Sequence, residues 1–136
     1  MWDIGLNYWA ILSCAAVQAV IGMAWYSKVG FGPRWMTLLG KTDDDIKKGN
    51  PARAITGSVL GALITAYVMA LVVFATGAST PWEGLQVGFL IWLGFSAVPY
   101  FNNVLFEGQP ILLFLINSGF NLAVFIAMSV LLTFWQ

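Results

Sequence analysis

The sequence predicts an all-α, polytopic membrane four-helix bundle with a short interfacial helical hairpin between helices 1 and 2. Three observations predict it. First, the stretch Lys28–Arg53 holds all 6 basic residues together with Asp43, Asp44 and Asp45, so the charge of the chain is concentrated in one place. Second, the rest is four uncharged runs, Ile4–Ser27, Ala54–Trp82, Gly84–Phe106 and Gly108–Gln136, each longer than the about 20 residues a helix needs to cross hydrocarbon. Third, 60% of residues are hydrophobic and 9% charged, with a mean hydropathy of +0.81, whereas a soluble domain is about a quarter charged. One integral-membrane domain over residues 1–136 follows. Its spans fall at about 4–26, 53–75, 81–107 and 110–135, around a loop at about 27–52.

Several function classes are excluded at this stage. Net charge is zero, so no basic field points to nucleic acid. There is no His and one cysteine, Cys14, which leaves out an intramolecular disulfide, histidine-ligated haem and nucleophilic triads. The glycines form no phosphate-cradling loop after a strand. The expectation is a non-enzymatic protein with no cofactor and no metal.

The first span, about 4–26, opens on an acidic Met1-Trp2-Asp3 where a signal peptide is basic, and reads as a retained helix. Cys14, Gln18 and Gly22 share one of its faces at i, i+4 spacing. In the loop, Pro33 can open a short helix ended by Gly40, with Arg34 toward lipid phosphates and Trp35 in the headgroup layer. Thr42 then caps a second one, with Asp43–Asp45 in its first turn and Lys47 and Lys48 in its last. Those aspartates suit a helix N-terminus, and consecutive spacing points carboxylates in different directions, which argues against a metal. Arg34, Trp35, Lys41, Lys47 and Lys48 form the membrane-surface set.

The second span carries a small-residue stripe with Gly57-x-x-x-Gly61 at its centre, which lets another helix approach closely, either the third span or a further subunit. Before the third span, Thr80 is an N-cap, Pro81 takes the first helical position and Glu83 completes a capping box. That span shows Gly84-x-x-x-Gly88 and is expected to kink at Pro99. Glu107 ends it, and Gly108 and Pro110 lead into the fourth span.

Orientation follows from the positive-inside rule: the loop is cytoplasmic and both termini are periplasmic. Trp2, Trp82 and Trp135 then lie at the outer interface, and Trp25, Tyr26, Trp35 and Tyr100 at the inner one. With a rise of about 1.5 Å per residue, Asn117 lies roughly 10 Å and Asn121 roughly 16 Å from the cytoplasmic end of the fourth span. Gln18, Ser96, Asn117 and Asn121 therefore occupy the inner half of the membrane, with Asn102, Asn103 and Glu107 at its rim. Carboxamides and a carboxylate are costly against lipid and should face the bundle. Two readings stand side by side: helix-to-helix glue, or a polar vestibule open to the cytoplasm with Glu107 at its mouth.

Six stretches stand out together: Gly22-Met-Ala-Trp-Tyr-Ser27, Phe31-Gly-Pro-Arg-Trp-Met36, the acidic–basic turn Thr42–Lys48, Trp92-Leu-Gly-Phe95, Asn102-Asn-Val-Leu-Phe-Glu-Gly108 and Phe114-Leu-Ile-Asn117. In these the chain resembles a family of small bacterial four-helix membrane proteins, DUF1761, a domain of unknown function. The family pattern carries a Tyr-His pair where this chain has Phe120-Asn121. The resemblance implies the four-helix membrane architecture and a bacterial inner membrane, and it implies no activity.

Three roles are consistent with these residues. The first is a lipid-embedded protein that packs as a homo-oligomer or as an accessory subunit of a larger membrane complex. The second is a small permease or channel with a vestibule around Glu107, Asn117 and Asn121. The third, an anionic-lipid sensor on the loop, has few charges, worth about 1 kcal/mol each and offset by three aspartates.

Overall fold

The computed structural model describes residues 5–135, at Asp43 the backbone alone. The expected first turn at residue 4 and the interfacial Trp2 lie outside the described residues. The described chain forms helices α1 (Tyr8–Trp25), α2 (Gly32–Leu39), α3 (Asp43–Lys48), α4 (Pro51–Thr76), α5 (Pro81–Trp92), α6 (Val98–Glu107) and α7 (Ile111–Phe134), with a π-helical turn, Leu93–Ala97, joining α5 to α6. Four spans are long and apolar enough to cross a membrane: α1, α4, the continuous Pro81–Glu107 segment, and α7. The architecture is the expected all-α polytopic bundle, with α2 and α3 as the hairpin between its first two spans.

Local chemistry explains where the boundaries differ from expectation. The first helix begins at Tyr8, because the Asn7 carboxamide accepts the backbone N–H groups of Trp9 (3.1 Å) and Ala10 (3.3 Å) and so caps it. The second span begins at Pro51, earlier than about 53, since Asn50 accepts the Arg53 N–H at 3.1 Å and Pro51 sits where no N–H is needed. Pro110 is the N-cap of α7 and lies outside its first turn. At α5 the box is shifted by one residue. Thr80 accepts the Glu83 N–H, but the Glu83 carboxylate reaches back to the N–H of Ser79 at 2.8 Å.

Pro99 has its effect one turn upstream. Its ring would collide with the carbonyl of Phe95 in a regular α-helix, and it offers no N–H to that carbonyl. The chain widens into the π turn over Leu93–Ala97, which contains Phe95, and resumes as α6.

Helix α7 is the centre of the bundle and packs against α1, α2, α4, α5 and α6. Its tightest neighbour is α5. A Cβ built on Gly84 would lie 2.8 Å from the Ser129 carbonyl, and one on Gly88 would overlap the Ser129 hydroxyl and lie 2.8 Å from the Phe125 carbonyl. The two backbones therefore approach because those side chains are absent. The core lies toward the termini, where Ala10, Ile11 and Cys14 of α1 meet Ala66, Met69 and Val73 of α4 and Val124 and Met128 of α7. Toward the loop, α1 and α4 part. Every residue from Pro51 through Gly61 is exposed, so half of α4 stands away from the rest of the chain.

Candidate functional site

Two features at the loop-side end could carry function: an aromatic–amide cluster around α7, and the cleft where α1 and α4 diverge.

The cluster begins with the turn after α1. Phe31 N–H bonds back to the Trp25 carbonyl at 2.7 Å, and the Gly32 N–H to that of Ser27 at 3.2 Å, folding the chain onto the helix end. A side chain at Gly32 would overlap the Tyr26 carbonyl, so the turn admits only glycine there. This places Phe31 against Trp25, with centroids 5.0 Å apart, and Trp35 of α2 edge-on to Tyr26 at 5.3 Å. Tyr26 also packs against Phe120 at 5.4 Å and donates its phenol O–H to Asn117 Oδ1 at 2.7 Å. The Trp25 indole N–H donates to the Ile116 carbonyl at 3.0 Å, over a ring that fits because residue 119 is glycine. Opposite, Trp92 donates to the Ser118 carbonyl at 2.7 Å, and Asn121 Nδ2 donates to Ser96 Oγ, inside the π turn, at 3.0 Å. One stretch of α7, from Ile116 to Asn121, is thus hydrogen-bonded on both flanks.

Of the seven residues expected at the polar constellation, the structure brings Ser96 and Asn121 together and joins Asn117 to Tyr26. It does not bring the others to them. Asn102 and Glu107 are exposed and Asn103 is half-buried. The Glu107 carboxylate accepts from the Gln109 amide at 3.2 Å, at the helix end. Gln18 is half-buried on α1 and its amide oxygen is enclosed without a hydrogen-bond partner. The two indole donors, Trp25 and Trp92, were not foreseen as binding groups. The available signal was that a buried indole N–H needs an acceptor.

The cleft holds about 1000 Å³, between Ala15, Gln18 and Ala19 of α1 and Ser58, Gly61 and Ala62 of α4, with Phe120 behind. Its walls are mostly apolar, and Gln18, Ser58 and Thr65 are among the polar side chains on them. A much smaller hollow of about 80 Å³ lies at the opposite end, between Leu6 and Trp135. The two Gly-x-x-x-Gly pairs differ in use. Gly84 and Gly88 are covered by α7, whereas a Cβ at Gly57 or Gly61 would meet nothing within 4 Å.

The residues expected at the membrane surface lie on α2, on α3 and in the turn between them. Arg34, Lys41, Lys47 and Lys48 are exposed and Trp35 is half-buried against Tyr26. The Thr42 hydroxyl accepts the Asp45 N–H, and the Asp45 carboxylate accepts the Thr42 N–H at 2.9 Å. The Thr42 backbone N–H first, and the Thr42 hydroxyl second, hold the Asp45 carboxyl below its ordinary value, with a smaller contribution from Lys41. Among the described residues, no three His, Cys, Asp or Glu side chains come together as they would to hold a metal ion.

No curated protein and no solved structure matches this chain. A family model does: Protein of unknown function (DUF1761) matches residues 9–133, nearly the whole length, taking in the four spans but for Tyr8 and Phe134. The bundle described above is therefore that of a DUF1761 membrane protein, the family to which this chain belongs.

Proposed function

We propose that this protein is a non-enzymatic membrane component that acts by packing against further membrane helices, as an oligomer or as an accessory subunit of a larger membrane complex. The observation that carries this reading is the contrast between its two glycine pairs. Both are helix-approach motifs, one is filled within the chain, and the other lies open beside a cleft. The proposal includes orientation in a bacterial inner membrane, with the loop 27–52 cytoplasmic and both termini periplasmic, supported by the confinement of every Lys and Arg to that loop.

The permease reading needs polar groups turned toward an open path. Asn117 and Asn121 are instead engaged with Tyr26 and Ser96, and Glu107 is exposed at a helix end. Native mass spectrometry after extraction in mild detergent tests the packing reading. The expected result is a defined oligomer or a stoichiometric companion, and a strictly monomeric, companion-free species would overturn it. Flux through proteoliposomes that falls in both Glu107→Gln and Asn117→Leu would restore the permease.

A further inference from the structure

We propose that the cleft between α1 and α4 holds an acyl chain of an anionic phospholipid from the loop-side leaflet, with the lipid phosphate drawn to the cations at the cleft's mouth. This goes beyond the packing reading and is independent of it. Gly57 lies about 100° around α4 from the cleft-lining row Ala54, Ser58 and Ala62, so a helix packed on Gly57 and a lipid chain in the cleft take different faces.

Depth selects the occupant. On α4 the cleft runs from Ala54 to Thr65, roughly 16 Å at about 1.5 Å per residue. One leaflet of hydrocarbon is about 15 Å deep, half of the bilayer core. Past Thr65 the walls close, and Ala10, Ile11 and Cys14 of α1 join Ala66, Met69 and Val73 of α4 in one buried cluster. A partner's transmembrane helix continues through both leaflets and would lose its groove at that level. A lipid chain ends there. Between the small side chains Ala15 and Ala19 on one wall and Ser58 and Ala62 on the other lie about 1000 Å³, bounded mostly by apolar surface. Apolar walls left bare forfeit their dispersion contacts, and a flexible hydrocarbon chain restores them without a matching shape.

Charge selects the headgroup. Tyr26 is the last cleft residue of α1 and Ala54 the first of α4. Lys28 follows the one by two residues, Arg53 directly precedes the other, and both are exposed. The acidic residues of the loop are confined to 43–45, at the end of α3 away from α4, and the Asp45 carboxylate is occupied by the Thr42 N–H. Glu107 ends α6, which packs on α7. Cations spread over a flat surface attract anionic lipid weakly. Two that flank the end of a groove act on a phosphate already held there by its own chain, at a high effective concentration.

The test uses the full chain in phosphatidylcholine liposomes carrying a trace of phosphatidylglycerol, or of phosphatidylcholine, with a diazirine on one acyl chain. After irradiation, peptide mass spectrometry should place the phosphatidylglycerol label on the cleft residues of α1 and α4, about tenfold above the exposed α5 face at Leu90. Cleft labelling by phosphatidylglycerol should exceed that by phosphatidylcholine about tenfold, and Lys28→Gln with Arg53→Gln should bring the two lipids level. Ala19→Leu with Ser58→Leu, at exposed positions on the cleft walls, should lower cleft labelling about tenfold, with circular dichroism checking that the helices persist. Equal labelling of the cleft and the Leu90 face overturns the proposal, as does a wild-type cleft that does not distinguish the two lipids, or labelling that the filled cleft leaves unchanged. Native mass spectrometry separates this from the packing reading. A monomer that retains one phosphatidylglycerol sustains the lipid site and overturns that reading. An oligomer whose cleft takes no label overturns the lipid site alone.

Discussion

The phenol of Tyr26, at the end of the first span, donates to the side-chain oxygen of Asn117 in the last span at 2.7 Å, tying together two residues 91 positions apart. The same tyrosine is flanked by Trp35 and Phe120, so the bond lies in an aromatic enclosure. Tyr26→Phe keeps the enclosure and removes the donor. It should destabilise the protein by about 0.6–2 kcal/mol, as should Asn117→Leu. The double variant should cost less than the sum, because the bond is lost only once. Steric-trapping unfolding in bicelles would measure the coupling, and strict additivity would count against a direct bond.

The close approach of α5 to α7 makes a second prediction. Gly88→Ala places a methyl group against the Ser129 hydroxyl and the Phe125 carbonyl, and overpacking of this kind costs about 1–3 kcal/mol. Gly57→Ala places one in space that is open within a single chain, so in the monomeric state it removes the helix cost of glycine, about 0.5–1 kcal/mol. Opposite signs in one unfolding assay are the expected outcome. A stabilising Gly88→Ala would mean that α5 and α7 stand farther apart.

Acid should loosen the α3 cap. The Asp45 carboxyl is held below its ordinary value of 3.8 by the Thr42 backbone N–H and hydroxyl. A group with a depressed folded-state pKa contributes fully above its unfolded value, and the contribution is lost as pH falls through the folded one. Amide exchange at Ile46 and Lys47 should therefore rise below the ordinary carboxylate range, once corrected for intrinsic rates. Asp45→Asn should remove most of that pH dependence, and an unchanged profile in that variant would assign it elsewhere.

Glu107 makes a contrasting case. It is exposed at the end of α6 and bonded to Gln109, so Glu107→Gln should change stability by no more than about 0.5 kcal/mol. The same unfolding assay would show a larger loss if the carboxylate were enclosed.

The spans, the loop helices and their caps were legible because they are written locally. Thr42 three residues before Asp45, Thr80 before Pro81 and Glu83, and uncharged runs long enough for a bilayer all act over a few residues of chain. The first-span start was missed because Asn7 lies inside the same uncharged run, where composition gives no boundary. Pro99 was legible as a disturbance, but the form it takes, a π turn one turn upstream whose Ser96 bonds Asn121 of α7, was not.

The amides were visible as a group at one depth, and their partners were not. By itself the sequence determined the solvent this protein lives in, the number of its crossings and the place of its charge, since burial in lipid is decided segment by segment. Only the tertiary structure decided that Gly84 and Gly88 are covered while Gly57 and Gly61 are open, and that Asn117 is engaged while the Gln18 oxygen is not. Those outcomes depend on how far apart two helix axes come to lie, which no single helix specifies.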